Sequence, residues 1–305
     1  MTAFAVDIPS GWYTTAAWRA WSAAYSTAFG AVGLTRVVEG AAISSPAAFA
    51  SISRPAAGAF GAFEIWRFDA PLTGASPVYL RVAYGCPWWD VRYPVMVVAV
   101  GDATDGSGLV TFAGVVQDPA HVVAASNAET GTKTSWISYD GHGLALAISI
   151  DSAAQPTSLL VVDRQRRPDG TAQPNPGWNN TGFMRFAYGG TTPVGRAVSF
   201  YDPVAQVVTN PNLAPAIAGR LVPTTTSMLN ASLQLTAFPW SIVTRQGVYG
   251  SKMVVSLPIL DANTSNDLSI PNLGATRVYR ALGARLGTGD APGQVGTGYA
   301  MWWED

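Results

Sequence analysis

The sequence predicts a mainly β protein, built as an antiparallel β-sandwich or as barrel-like sheets, with one N-terminal amphipathic helix. Gly and Pro account for 31 and 21 of the 305 residues, enough to join many short strands by tight turns. Glu and Lys, which long helices favour, are rare. Short β-branched and aromatic stretches recur at roughly ten-residue spacing without helical segments between them, as in antiparallel sandwiches and barrels.

The segment TTAAWRAWSAAYSTAFGAVG, residues 14–33, predicts the helix. Its large apolar side chains recur at steps of three and four and form one stripe. Thr14 or Thr15 can cap the N-terminus of this helix, and Gly30 or Gly33 can take the left-handed conformation that ends it. The stripe suits docking either on the protein's own β-domain or on a neighbouring subunit. We expect Trp18, Trp21 and Tyr25 to be assembly contacts.

The residues after the helix predict a short strand over 34–38 and then an extended arm or linker. Residues 40–54 are small and include Pro46, and we expect this arm to share in assembly. We therefore divide the chain into an N-terminal helix and arm (1–55) and an antiparallel β-domain (56–203). An irregular excursion with a second β-rich lobe follows (204–305), and this lobe either packs on the first or stands apart.

The stretch 60–85 predicts two neighbouring strands at the centre of the fold. Residues 63–68 and 78–84 alternate in character with a period of two, so odd- and even-numbered side chains face opposite ways. The continuous apolar run 94–100 suits a strand that is buried on both faces. Further strands are expected over 109–116, 134–139, 144–150, 158–164, 182–188, 196–201, 232–236, 240–244, 252–257 and 276–282, with a docked terminal strand over 298–304.

Composition excludes several classes of partner. The formal net charge is −1, and no concentrated basic face is evident, so we expect no nucleic-acid partner. No stretch approaches the ~18 consecutive apolar residues that a membrane span needs, and the N-terminus lacks the pattern of a signal peptide. The single cysteine, Cys86, is interpreted as a structural thiol.

Candidate catalytic and metal-binding residues are few. The loop 102–106 resembles the opening of a calcium loop but lacks the later ligands, so a hairpin turn is the favoured interpretation. His142 could pair with Asp140 as a base, although its turn-forming surroundings favour a structural role. With two histidines and no G-x-S-x-G, neither a Ser-His-Asp site nor a zinc site is indicated. We expect no catalytic residue, cofactor or metal, and no enzyme activity.

Two aromatic loops leave a carbohydrate hypothesis open. Trp88 and Trp89 precede Asp90, and an aromatic platform beside a carboxylate can hold a sugar. Trp178 lies in a second loop of the same kind, 174–180. Each tryptophan could equally belong to a subunit interface or to an ordinary core.

Three features taken together resemble virion structural proteins of tailed bacteriophages, which are minor components of the tail or baseplate. They are the amphipathic segment from Trp18 to Leu34; Ser53-Arg-Pro55 with Phe63-Glu-Ile-Trp-Arg-Phe68 and Pro77-Val-Tyr-Leu-Arg-Val-Ala-Tyr-Gly85; and Val98-Ala-Val-Gly101 with the hairpin 104–111. The resemblance covers the first ~115 residues, and the loop 86–93 departs from it. It implies a structural role and carries over no catalytic residues.

We therefore predict a non-enzymatic structural subunit of a bacteriophage virion, in the tail, baseplate or fibre-attachment region. Low charge (12%) and abundant aromatic residues (11%) suit a chain that buries surface against other subunits. Expected partners are other phage structural proteins and further copies of the chain in a trimer or hexamer, after synthesis in the host bacterial cytoplasm. The alternatives are a carbohydrate-binding receptor-recognition protein and a polysaccharide-degrading tailspike enzyme.

Overall fold

The structure is a computed structural model of the 305-residue chain. It describes residues 2–8, 14–68, 77–86, 94–112, 114–116, 121–124, 131–149, 156–164, 169, 178–184, 197–202, 207–209, 220–221, 238–244, 247–258, 267–281 and 297–304. Within them the protein is mainly β, with several antiparallel sheets and one N-terminal α-helix, as the sequence predicts.

The helical elements are α1 (Thr15–Ala31) and a 3-10 helix (Pro46–Ser51). The strands are β1 (Thr2–Ile8), β2 (Thr35–Val37), β3 (Phe60–Phe68), β4 (Val78–Gly85), β5 (Val95–Gly101), β6 (Ala103–Thr104), β7 (Val110–Phe112), β8 (Val115–Val116), β9 (His121–Ala124), β10 (Gly131–Tyr139), β11 (Gly143–Ser149), β12 (Pro156–Arg164), β13 (Trp178–Met184), β14 (Ala197–Asp202), β15 (Val207–Thr209), β16 (Arg220–Leu221), β17 (Phe238–Thr244), β18 (Gly247–Pro258), β19 (Asp267–Asn272), β20 (Ala275–Ala281) and β21 (Thr297–Glu304).

Helix α1 begins and ends where its sequence predicts. The Thr14 side chain accepts a hydrogen bond from the backbone N–H of Ala17 at 3.1 Å and so satisfies one free donor of the first turn. After the last turn, Gly33 adopts a φ of +102°, which a residue without Cβ tolerates best. The aromatic stripe of α1 is buried against a sheet.

That sheet has five antiparallel strands in the order β2-β3-β4-β5-β9. The predicted alternation is confirmed on β3, where Trp66 and Phe68 join the core beneath α1 while Phe63 and Ile65 lie in a cluster on the opposite face. On β4 the even-numbered residues 78–84 likewise face the helix. Every residue of β5 is buried, because both faces of the sheet are covered at this strand.

The expected assembly role of Trp18, Trp21 and Tyr25 is wrong for the folded chain, because each of these side chains is 1% exposed. They pack inside the protein's own core. The ring of Trp21 lies 4.8 Å from that of Tyr25 and meets Tyr84 of β4 edge to face at 6.2 Å. These side chains therefore have no surface left for a neighbouring subunit.

The expected extended arm over 40–54 is also wrong. Pro46 opens the 3-10 helix, where its fixed φ suits a first helical position. Phe49 is buried, with its ring against Trp18 at 6.1 Å and Tyr84 at 5.1 Å. Arg19 of α1 donates to the Ile52 carbonyl at 2.6 Å, so a second contact holds the segment to the helix.

A seven-stranded antiparallel sheet runs in the order β1-β10-β11-β12-β13-β14-β15. Its edge strand β1 comes from the N-terminus and pairs with β10 from Thr2–Ile137 to Ile8–Gly131. Residues of β10, β11 and β12 share one hydrophobic cluster with α1 and the five-stranded sheet. Residues 1–55 are thus no separate unit, since they contribute a strand to one sheet and a helix to the shared core.

The C-terminal sheet has six antiparallel strands in the order β16-β17-β18-β21-β20-β19. The predicted terminal strand is confirmed as β21, which pairs with β18 and β20 in the sheet interior. A bulge leaves Trp303 opposite no residue of β20. β15 belongs to the seven-stranded sheet, so the second lobe begins after it. The strand expected over 232–236 lies outside the described residues.

Candidate functional site

Three of the five exposed large apolar side chains of the described residues lie on a small ribbon, the strands β6, β7 and β8 between residues 103 and 116, and the other two are Val38 and Phe60. The ribbon leaves the five-stranded sheet directly after β5. A Cβ added at Gly101 would lie 2.3 Å from the Thr111 carbonyl oxygen, so glycine permits this close crossing. The backbone N–H of Asp102 donates to the same oxygen at 2.9 Å and starts the ribbon.

The tip of the ribbon is ordered by Asp105. Its Oδ1 accepts the backbone N–H groups of Ser107 and Leu109, both at 2.9 Å, and its Oδ2 accepts the Ser107 hydroxyl at 2.5 Å. These bonds stabilise the carboxylate and lower the pKa of Asp105 to about 2. The predicted hairpin turn is confirmed, and the carboxylate is occupied by the chain's own donors.

Two side-chain hydrogen bonds anchor the ribbon to the body. Arg81 of β4 donates to the Gly108 carbonyl at 2.9 Å while its guanidinium covers the Phe63 ring at 4.2 Å. Burial lowers the pKa of Arg81, and the charge of Asp105 opposes that shift. Thr104 donates to Glu39 at 2.7 Å. The ribbon is therefore held rigidly at its tip and its base.

The exposed apolar residues of the ribbon are Leu109, Val115 and Val116, at 37%, 66% and 47%. Val115 and Val116 are consecutive on β8 and so point to opposite faces of the last strand in this sheet. Exposed β-branched side chains on such a strand can pack on another chain. The ribbon is a candidate surface for protein contact.

A second cluster of polar side chains is internal to the body. The Glu64 carboxylate is fully buried, and its Oε1 accepts the Ser26 hydroxyl at 2.5 Å and the Arg36 guanidinium. Its Oε2 accepts the Tyr84 hydroxyl at 2.8 Å and the Trp66 indole N–H at 3.2 Å. The cluster joins α1 to β2, β3 and β4. We interpret it as a structural hub, because all four donors are buried or half-buried parts of the framework.

A third cluster lies where the seven-stranded and six-stranded sheets meet. Lys252 of β18 reaches Asp140 in the β10–β11 turn, with Nζ and Oδ2 3.2 Å apart, and its ammonium lies 4.0 Å from the centre of the Trp302 ring. The buried Asp163 of β12 accepts the backbone N–H of Lys252 at 2.9 Å. Sequence analysis considered Asp140 only as a partner for His142, and the other residues of this cluster form no local motif with it.

The structure places the remaining predicted site residues as follows. His142 lies in the β10–β11 turn, where its backbone N–H donates to Asp140 at 3.0 Å, so the turn interpretation is confirmed. Cys86 is buried, and burial raises the pKa of its thiol. Trp88 and Trp89 lie outside the described residues. Trp178 begins β13 rather than lying in a loop, and its side chain is not among those described.

Across the described ranges, no group of three or more His, Cys, Asp and Glu side chains is arranged to hold a metal ion. Within the same part of the chain, no helix combines the length and the hydropathy that a bilayer span needs.

Comparison with known proteins gives no family assignment. No protein-family model matches the chain, and no curated protein sequence matches it.

Proposed function

We propose that the chain is a non-enzymatic structural subunit of a tailed-bacteriophage virion, in the tail, baseplate or fibre-attachment region. The proposal rests on the resemblance of the first ~115 residues to such proteins and on how the segments that carry the resemblance are arranged. The three segments that carry the resemblance are α1, the β3–β4 pair, and β5 with the ribbon. They lie together in one body rather than in separate parts of the fold.

One observation carries the proposal, namely that this body presents the exposed ribbon. Val110 of β7 is buried with Ile65 and Ala99 of the central sheet, so the ribbon is fixed from below. Val115 and Val116 remain exposed above it. A rigid base with an apolar edge suits a permanent contact with a neighbouring virion subunit, because little conformational entropy is lost when the contact forms.

The partners in this proposal are other phage structural proteins and further copies of the chain, in a trimer or hexamer. A closed ring would repeat the same contact around an axis. The ribbon, rather than the aromatic stripe of α1, supplies the contact between subunits, since the side chains of the stripe are buried inside the core.

Immunogold electron microscopy of purified particles, with antibodies raised against the folded chain, tests the function. We expect label at the tail, the baseplate or the fibre-attachment region. Label confined to host debris, with clean particles, would refute the proposal.

The ribbon itself is tested by the double substitution Val115→Lys and Val116→Lys. The isolated chain should remain folded, since both side chains are exposed, while incorporation into particles should fall at least about tenfold, which corresponds to 1.4 kcal/mol of contact energy. The matched control is Thr276→Lys, an exposed position on the six-stranded sheet, which should leave incorporation unchanged. Equal incorporation of all three proteins would exclude the ribbon as the contact.

A further inference from the structure

The contact between Lys252 and Asp140 joins two different sheets and is almost closed to water. Nζ and Oδ2 lie 3.2 Å apart, and the two side chains are only 6% and 8% exposed. Because water is largely excluded from this contact, the ammonium and the carboxylate face each other directly. Such surroundings favour chemistry between the two groups.

The Asp140 carboxyl group is held in the arrangement that acyl transfer requires. Its Oδ1 accepts two backbone N–H groups, from His142 at 3.0 Å and from Gly143 at 2.9 Å, while its Oδ2 faces the lysine. Two converging backbone donors are what stabilises the oxyanion of a tetrahedral intermediate. A φ of +87° at Gly141 allows the turn to present both N–H groups.

The lysine is held equally firmly. The backbone N–H of Lys252 donates to Asp163 at 2.9 Å, and its carbonyl accepts the Tyr279 hydroxyl at 2.8 Å. The Trp302 ring covers the ammonium at 4.0 Å, and the backbone of Trp302 is itself bonded to Ser138 of β10 at 2.8 Å. Two reacting groups fixed in contact gain the large rate advantage of an intramolecular reaction.

We propose that Lys252 and Asp140 condense to form an intramolecular amide cross-link between the six-stranded and seven-stranded sheets. One proton first passes from Nζ to Oδ2 across their 3.2 Å contact, which leaves a neutral amine beside a neutral acid. The Nζ lone pair attacks Cγ, and the electrons of the Cγ–Oδ1 double bond move to Oδ1, where the two N–H groups receive the charge.

The second half of the step releases water. A second proton passes from Nζ to the Oδ2 hydroxyl, the Cγ–Oδ2 bond breaks, and the Cγ–Oδ1 double bond forms again. The ammonium has three protons, of which two leave in the water and one remains on the amide. No oxidant, cofactor or further reactant is needed, and Oδ1 keeps both of its backbone donors as an amide oxygen.

Intact mass spectrometry of the denatured, purified chain tests the cross-link. We expect a mass lower than that of the sequence by one water molecule, and trypsin should fail to cleave after Lys252. A branched peptide containing both Lys252 and Asp140 should appear in the digest. A full-length mass equal to that of the sequence, with ordinary cleavage after Lys252, would overturn the proposal.

Two variants separate the cross-link from other losses of water. Lys252→Met removes the amine and should restore the full mass, whereas Lys133→Met, at the only other lysine, should keep the loss. Succinimide formation at an Asp-Gly sequence such as Asp140-Gly141 also releases water but does not need the lysine. A loss that persists in Lys252→Met would therefore overturn the proposal, and the wild-type branched peptide decides the matter even if this variant fails to fold.

Discussion

The Glu64 carboxylate accepts a hydrogen bond from the Tyr84 hydroxyl at 2.8 Å, although both side chains are completely buried. Glu64 lies on the same face of β3 as the aromatic core, so the strand places an ionisable group among apolar ones. The Arg36 guanidinium on β2 and the Ser26 hydroxyl on α1 complete its shell. This carboxylate therefore fixes how the helix sits on the sheet.

Replacement of Arg36 by Met should destabilise the protein by about 3–5 kcal/mol, because it leaves a buried carboxylate without its counter-charge. Urea unfolding followed by tryptophan fluorescence measures this loss. The matched control is Arg19→Met, which removes one half-buried hydrogen bond to a carbonyl and should cost about 1 kcal/mol. Equal costs for the two variants would show that Glu64 does not depend on Arg36.

Stability should fall at alkaline pH because of two buried tyrosines. Burial raises the pKa of Tyr25 and of Tyr84 above the ordinary 10.0, and the Glu64 charge raises that of Tyr84 further. The unfolded chain therefore releases these protons near pH 10 while the folded chain keeps them. Their stabilising contribution is complete below pH 10 and declines as the pH rises towards the folded-state pKa values.

Tyrosinate absorbance, recorded together with the free energy of unfolding, checks this dependence. Tyr25→Phe should make the decline with pH less steep, although it also removes the hydrogen bond to Ser135 and lowers stability at neutral pH. If every tyrosine ionised near pH 10 in a chain that remained folded, the buried environment described above would be incorrect.

Gly40→Ala should destabilise the protein more than Gly106→Ala. Both glycines have positive φ, at +55° and +76°, so each substitution carries a backbone cost of about 1–2 kcal/mol. At Gly40 the added Cβ would also lie 2.1 Å from the Ser107 carbonyl oxygen, whereas at Gly106 nothing lies within 4 Å. The difference in thermal midpoint between the two variants measures the cost of the clash between the ribbon and the added Cβ at residue 40. No difference would mean that the ribbon is not anchored there.

Trp21→Ala should cost about 3–5 kcal/mol in the isolated chain, because it empties the centre of the core. Thr27→Ala, at an exposed position of the same helix, should change stability by less than about 0.5 kcal/mol. Chemical denaturation at low protein concentration gives both values. If Trp21→Ala left the stability of the monomer unchanged, the result would instead support the assembly role that the sequence predicts for this residue.

Local sequence patterns predicted the helix and the strands, whereas the contacts between them depend on long-range strand pairing. The period of two in β3 and β4 identified which side chains face the core, and Thr14 marked the start of α1. The same alternation placed Glu64 on the core face, which is the signal for a buried charge. Its partner Arg36 could not be assigned, because the pairing of β2 with β3 depends on sheet order rather than on a local motif.

Two of the sequence-based errors, the extended arm and the assembly role of the α1 stripe, have clear physical causes. Residues 40–54 resemble an arm because small residues around Pro46 lack periodicity, yet Ile43 and Phe49 among them are buried in the core. The α1 stripe suggested assembly because its aromatic area is large. The sequence does not show that the sheets of the protein itself bury this area. The Lys252–Asp140 contact joins residues far apart in sequence, so nothing local predicts it.

Quantitative mass spectrometry of density-purified phage particles, washed at high salt, tests the proposed function most directly. We predict the chain at a constant copy number per particle, unchanged by the wash, because contacts that bury apolar surface are not weakened by salt screening. The absence of the chain from washed particles, together with its recovery as free protein in the lysate, would contradict the account.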